Sequence, residues 1–209
     1  MPAIAAPPEQ RVLLRNVSWE TYERLLAEHV ESVGTRFTYD GGFLEIMVVG
    51  FGHENPNRML AKLAEIVAEE MALDLYPAGS TTFKRRDLAK GFEPDSCFYL
   101  NHAGQVRGKD ELDLNSDPPP DLVIEVDITR SSLNRFPIFA AVGVPELWRY
   151  DGERVRMYNL HKGEYAEVDS SAGLPPLTSA QASLFLDQSR TQKSTEWLRR
   201  VREWVRANR

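Results

Sequence analysis

Pro120-Asp121-Leu122-Val123-Ile124-Glu125-Val126-Asp127-Ile128 decides the fold class, because it sets carboxylates into an otherwise apolar β pattern. Side chains of a strand point alternately to opposite faces. Asp121, Val123, Glu125 and Asp127 therefore share one face, while Leu122, Ile124, Val126 and Ile128 share the other and suit packing against a helix. A second segment of the same kind, Phe92-Glu93-Pro94-Asp95-Ser96-Cys97-Phe98-Tyr99-Leu100, reads as a neighbouring strand over 92–100. A carboxylate among apolar side chains costs several kcal/mol unless a partner or metal compensates it. Asp95, Glu125 and Asp127 are thus expected to converge on a divalent cation, and hard oxygen ligands suit Mg²⁺ or Mn²⁺. The plainer alternative is that Asp121 caps a turn after the proline run and Asp95 pairs with an arginine.

Working outward, Ser18 is placed to cap a helix running to about Val33, with Tyr22, Leu25, Leu26, His29 and Val30 on one face. Strands over 35–40 and 43–49 flank Asp40-Gly41-Gly42, a hairpin signal, and Glu45 lies inside the second. His53-Glu54-Asn55-Pro56 opens a helix to about Met71, with Met59, Leu60, Leu63, Ile66 and Val67 as its buried stripe. Strands at 73–84, 92–100 and 121–128 follow, then a helix from Ser131 to Val142 with Pro137 in its first turns. Gln105 to Pro120 is polar and reads as a surface loop. Strands at 144–150 and 153–160 meet at Asp151-Gly152, a third covers Glu164 to Val168, and a short helix is expected at Ser183 to Leu186. A basic amphipathic helix at about 190–209 ends the chain, with Trp197, Leu198, Val201, Trp204 and Val205 at helical spacing. No linker interrupts the pattern, so residues 1–209 are expected to form one domain.

With 42% hydrophobic and 27% charged residues, the composition is that of a globular chain and not of a disordered one. The lone cysteine, Cys97, rules out an internal disulfide and a multi-cysteine zinc site. The run Met1-Pro2-Ala3-Ile4-Ala5-Ala6-Pro7-Pro8 is too short and proline-rich for a signal peptide, so a cytoplasmic location is expected. Glycine-rich phosphate loops and a G-x-S-x-G elbow are absent, which leaves nucleotide hydrolysis, dinucleotide binding and serine hydrolysis without support. A net charge of −6 argues against nucleic-acid binding by the chain as a whole, but Lys84-Arg85-Arg86 and the arginines beyond Arg190 form local basic clusters able to hold phosphates.

Pro119 to Thr129, then Phe136-Pro137-Ile138-Phe139-Ala140 and Gly143-Val144-Pro145-Glu146-Leu147-Trp148-Arg149-Tyr150-Asp151, together resemble the Uma-type restriction endonucleases of the PD-(D/E)XK nuclease superfamily. Gly52-His53-Glu54 and the strand ending Phe43-Leu44-Glu45-Ile46-Met47 match as well. The resemblance implies a restriction-endonuclease-like α/β fold, a mixed central sheet flanked by helices, and metal-dependent hydrolysis of DNA phosphodiesters leaving a 5′-phosphate. It places Asp95 and Glu125 on the metal-binding carboxylates, with Glu45 or Glu54 near the same centre. One departure stands out: the superfamily lysine two residues after Glu125 is Asp127 here. Uma-type relatives often carry a lysine at the start of the following helix, and that position is Arg135.

An arginine stays protonated and so can stabilise a phosphorane but cannot abstract a proton from water. The expected mechanism therefore has Asp95, Glu125 and Asp127 holding Mg²⁺ or Mn²⁺, with Arg135 or Lys84 offsetting developing charge. A homodimer acting on duplex DNA is the expected assembly, with the tryptophan-bearing terminal helix as its interface. The competing expectations are a nucleic-acid-binding module that has lost turnover, favoured by Asp127, and an oligomeric interaction protein.

Overall fold

The computed structural model describes residues 9–29, 34–129 and 133–209; the N-terminal run to Pro8, the expected helix end at Val33 and the expected helix start at Ser131 lie outside them. The chain folds into two sheets with helices packed on both, an α/β architecture. Sheet one is antiparallel, in the order β1 (Glu9–Leu14), β3 (Phe43–Val49), β2 (Thr35–Asp40), β6 (Lys90–Phe92), β5 (Phe83–Arg85). Sheet two is mixed, in the order β11 (Glu164–Val168), β10 (Val155–His161), β9 (Glu146–Tyr150), β8 (Leu122–Val126), β7 (Ser96–Tyr99), β4 (Tyr76–Gly79), and within it β8 and β9 pair in parallel.

Two expected strands each prove to be two. The 92–100 segment ends β6 at Phe92 in sheet one and resumes as β7 at Ser96 in sheet two. Pro94 has no N–H for a ladder, and the Glu93 carboxylate on one side of it is fixed by Phe37 N at 2.8 Å and Thr82 Oγ1 at 2.5 Å. The 73–84 segment crosses in the opposite direction, from β4 into β5. Asp95 thereby sits where the chain passes between the sheets.

The apolar alternation of β8 is used as read. Leu122, Ile124 and Val126 pack with Leu60, Leu63 and Val67 of α2 (Phe51–Glu70), and Val123 packs on the other side with Ile138 and Phe139 of α4 (Phe136–Val142). Gly143 caps α4 at φ 93°, the left-handed position that ends a helix without a Cβ penalty. Over sheet one, α1 (Trp19–Glu28) buries Trp19 and Tyr22 against Phe37, Tyr39 and Leu44, with Ser18 Oγ accepting from Thr21 N as its cap.

The main core is closed by α5 (Ser179–Ser189) and α6 (Ser194–Asn208). The former is longer than expected because Thr178 caps it, accepting from Gln181 N. On the latter, Trp197 is buried and donates from Nε1 to Phe185 O at 2.7 Å, while Trp204 meets Phe185 edge to face. Trp197 is thereby occupied inside the molecule and does not face a partner, whereas Trp204 is half-buried. Between β7 and β8 the polar loop contains one short helix, α3 (Ala103–Val106).

Candidate active site

Several elements converge on the end of β8. Asp95 enters from the crossover, and its backbone is held by α2: Asn57 Nδ2 donates to Asp95 O at 3.1 Å, and Ser96 Oγ donates to Asn57 Oδ1 at 2.8 Å. Its carboxylate is buried. Oδ2 accepts from Val126 N at 2.8 Å and lies 3.2 Å from His53 Nε2, whereas Oδ1 is buried with no hydrogen-bond partner. Burial opposes ionisation of Asp95, but the His53 hydrogen bond and charge, Arg135 and the Val126 N–H together hold its carboxyl below the usual range.

Glu125 extends from β8 into the same space. Its Oε2 accepts from Arg135 Nη1 at 2.5 Å, and Oε1 is buried without a partner. Burial pushes this carboxyl up to about 7, with Arg135 opposing the shift and the Asp95 charge adding to it. Two neighbouring carboxylates thus have their proton affinities driven apart, a pattern typical of working sites. Glu45, fully buried on β3, accepts from Arg135 Nη2 at 3.1 Å and from Arg11 Nη1 at 2.9 Å through one oxygen, Oε1.

His53, in the first turn of α2, points inward. Its Nε2 is 2.9 Å from Val126 O, and because a carbonyl only accepts, the imidazole carries a proton there. Although burial disfavours the imidazolium, Asp95, Glu9 and Glu125 raise its pKa. Asp127, just past β8, accepts at Oδ2 from Arg149 Nη2 at 2.5 Å and Nε at 3.2 Å, and its Oδ1 is 3.4 Å from Arg11 Nη2. Glu9 of β1 accepts through Oε1 from Thr129 N at 3.0 Å and from Thr129 Oγ1, which ties β1 to the loop after β8. A cleft of about 380 Å³ opens onto this cluster, lined by Arg11, Glu125, Asp127, Arg135, Phe136 and Arg149 among others.

A family model described as "Uma2: Putative restriction endonuclease" matches residues 19–189. The chain belongs to that family. A crystal structure of "a putative nuclease belonging to DUF820" from Anabaena variabilis ATCC 29413 is similar at 12% identity and a TM-score of 0.49, covering 72% of this chain and 90% of that one. A likeness so loose transfers no residue to this chain. Curated proteins give no match. Among the described residues no helix is long and apolar enough to cross a membrane.

Within the Uma2-matched segment the structure brings Asp95, Glu125, Glu45, Asp127 and Arg135 together. Glu54 is not brought in: it turns outward and pairs with Arg58 at 2.7 Å, so His53, one residue earlier, is the side chain that this helix contributes. The Lys84-Arg85-Arg86 cluster lies at the β5 edge, where Lys84 pairs with Glu23, Arg85 with Asp87 and Arg86 with Glu20. Acidic side chains thus already meet these cations, and Lys84 is committed to α1 instead of the cleft.

Three cleft or cluster residues were not anticipated from sequence: Glu9, Arg11 and Arg149. The first two lie on β1, ahead of the matched segment. Two of its three inward positions are charged while Val12 and Leu14 face solvent, which blurs the pattern that marks a strand. A basic residue at Arg149 amid the apolar β9 was the one available signal.

The buried, unpartnered oxygens Asp95 Oδ1 and Glu125 Oε1 fit a hard divalent cation. Among the described residues no group of three or more His, Cys, Asp or Glu is arranged to hold an ion by itself. Mg²⁺ commonly binds through one or two carboxylates, with water and substrate phosphate completing its shell.

Proposed function

We propose that this chain is a divalent-metal-dependent endonuclease hydrolysing phosphodiester bonds of DNA, with Mg²⁺ or Mn²⁺ held by Asp95 and Glu125. The observation that carries this reading is the pair of buried oxygens without hydrogen-bond partners, Asp95 Oδ1 and Glu125 Oε1, of which Glu125 lines the cleft. Leaving such acceptors unsatisfied costs free energy unless a ligand meets them. A bound ion would supply Lewis acidity and lower the pKa of water to the physiological range.

The protein's own part is to hold and orient. His53 and Val126 N–H fix one Asp95 oxygen, leaving the other for the ligand. Arg135, bridging Glu125 and Glu45, keeps Glu125 in place and brings permanent positive charge to the site. Association into a homodimer, so that two sites address the two strands of a duplex, belongs to the same proposal.

Plasmid nicking in Mn²⁺ or Mg²⁺ tests it. Wild-type protein is expected to nick, and Asp95→Asn and Glu125→Gln to lose both nicking and calorimetric metal binding. Equal nicking by all three proteins refutes the assignment. Nucleic-acid binding without turnover is the second reading, favoured by Arg135, whose bridge from Glu125 to Glu45 already neutralises charge that a metal would otherwise meet. Metal-independent DNA binding with no nicking would select it.

A further inference from the structure

Asp127, just past β8, is a carboxylate that gathers cations. Parallel pairing of β8 with β9 sets Glu125 opposite Arg149, so the two side chains leave the sheet on the same face, side by side. Asp127 Oδ2 accepts from both Nε and Nη2 of Arg149, a side-on grip that holds the guanidinium by one edge. Arg11 arrives from β1 on the other side of the same carboxylate. Both arginines and Glu125 line the 380 Å³ cleft.

The two guanidinium groups differ in what they have left to give. The Arg11 side chain is 7% exposed and donates to Glu9 and Glu45 besides Asp127. That of Arg149 is 30% exposed, and among the described residues Asp127 is its sole side-chain hydrogen-bond partner, through Nε and Nη2. Its Nη1 edge remains for a ligand. A planar guanidinium suits phosphate oxygens, which accept two parallel N–H bonds.

We infer that Arg149, anchored by Asp127 and backed by Arg11, is the side chain that grips a DNA phosphate in this cleft. The inference rests on the nuclease reading above and adds to it the residue that touches the substrate backbone. Asp127 is then a positioning residue and not a metal ligand.

Fluorescence anisotropy with labelled duplex and single-stranded DNA, in EDTA across a salt series, tests this without turnover. Arg149→Ala is expected to weaken binding roughly tenfold to a hundredfold, as removal of a charge-assisted hydrogen bond does. It should also reduce the slope of log affinity against log salt by about 1, because one phosphate fewer is neutralised and its counterion stays on the DNA. Arg149→Lys should keep the wild-type slope with weaker binding, since charge survives and the fork does not. Asp127→Asn should behave likewise, and Arg149→Ala combined with Asp127→Lys should regain the slope. A slope and affinity unchanged in Arg149→Ala, in a wild type that binds and nicks, overturn the inference alone. Absence of DNA binding by the wild type overturns it together with the nuclease reading.

Discussion

Replacing Glu125 by glutamine tests the site through stability, independently of catalysis. The Glu125 carboxyl, ordinarily at 4.5, is pushed up to about 7. Between those values the folded protein retains a proton that the unfolded chain has lost, so metal-free stability falls as pH rises through that window. Each pKa unit corresponds to about 1.4 kcal/mol, which puts the loss at about 3 kcal/mol once the pH is well above 7. Glutamine resembles the neutral acid and has no such titration. The stability difference, variant minus wild type, should therefore rise by about 3 kcal/mol between pH 4.5 and pH 8 in EDTA.

Urea unfolding at intervals across that range measures it, and the comparison cancels groups that titrate in both proteins. Metal supplies the second half of the test. At one hundred times its dissociation constant, a ligand binding only the folded state adds about 2.7 kcal/mol. Mn²⁺ at pH 8 should thus recover most of the stability that the wild type gives up, and should do nothing for Glu125→Gln. Parallel pH profiles for the two proteins would refute the strained carboxylate, and equal stabilisation of both by Mn²⁺ would refute its role as a ligand.

Glu54→Gln should leave metal affinity by calorimetry unchanged and cost at most about 0.5 kcal/mol, because it removes only an i,i+4 pair on the helix surface. Trp197→Ala should destabilise by about 3–5 kcal/mol in urea unfolding, with no change of mass by light scattering, since the indole is buried within its own molecule. Gly91→Ala should cost about 1–3 kcal/mol in the same assay. A Cβ there would stand 2.2 Å from the hydroxyl of Tyr22, a buried ring stacked on Tyr39 with no room to retreat.

Much of the frame, and the gathering of carboxylates at the end of β8, could be read from sequence, for local reasons. Period-two alternation fixes which side of a strand each residue occupies, and it placed Glu125 opposite the helix-packing face of β8 correctly. Periodicity near 3.6 likewise identified the buried stripes of α2 and α6. Asp95 stood out because a carboxylate in an apolar stretch requires a reason to be there.

Tertiary structure alone decided the rest. Whether His53 or Glu54 faces the site depends on how α2 docks, because consecutive residues on a helix point about 100° apart and both types are ordinary in a first turn. The break at Pro94 is visible as a residue, but that the chain changes sheets there depends on Phe37 and Thr82, far away in sequence. β1 escapes a pattern search because its charged residues face the cluster while Val12 and Leu14 face solvent. Arg149 acquires its meaning only from the register with Glu125. Local propensity reads a chain through its near neighbours, whereas a site built from many elements is fixed by contacts between residues that propensity never compares.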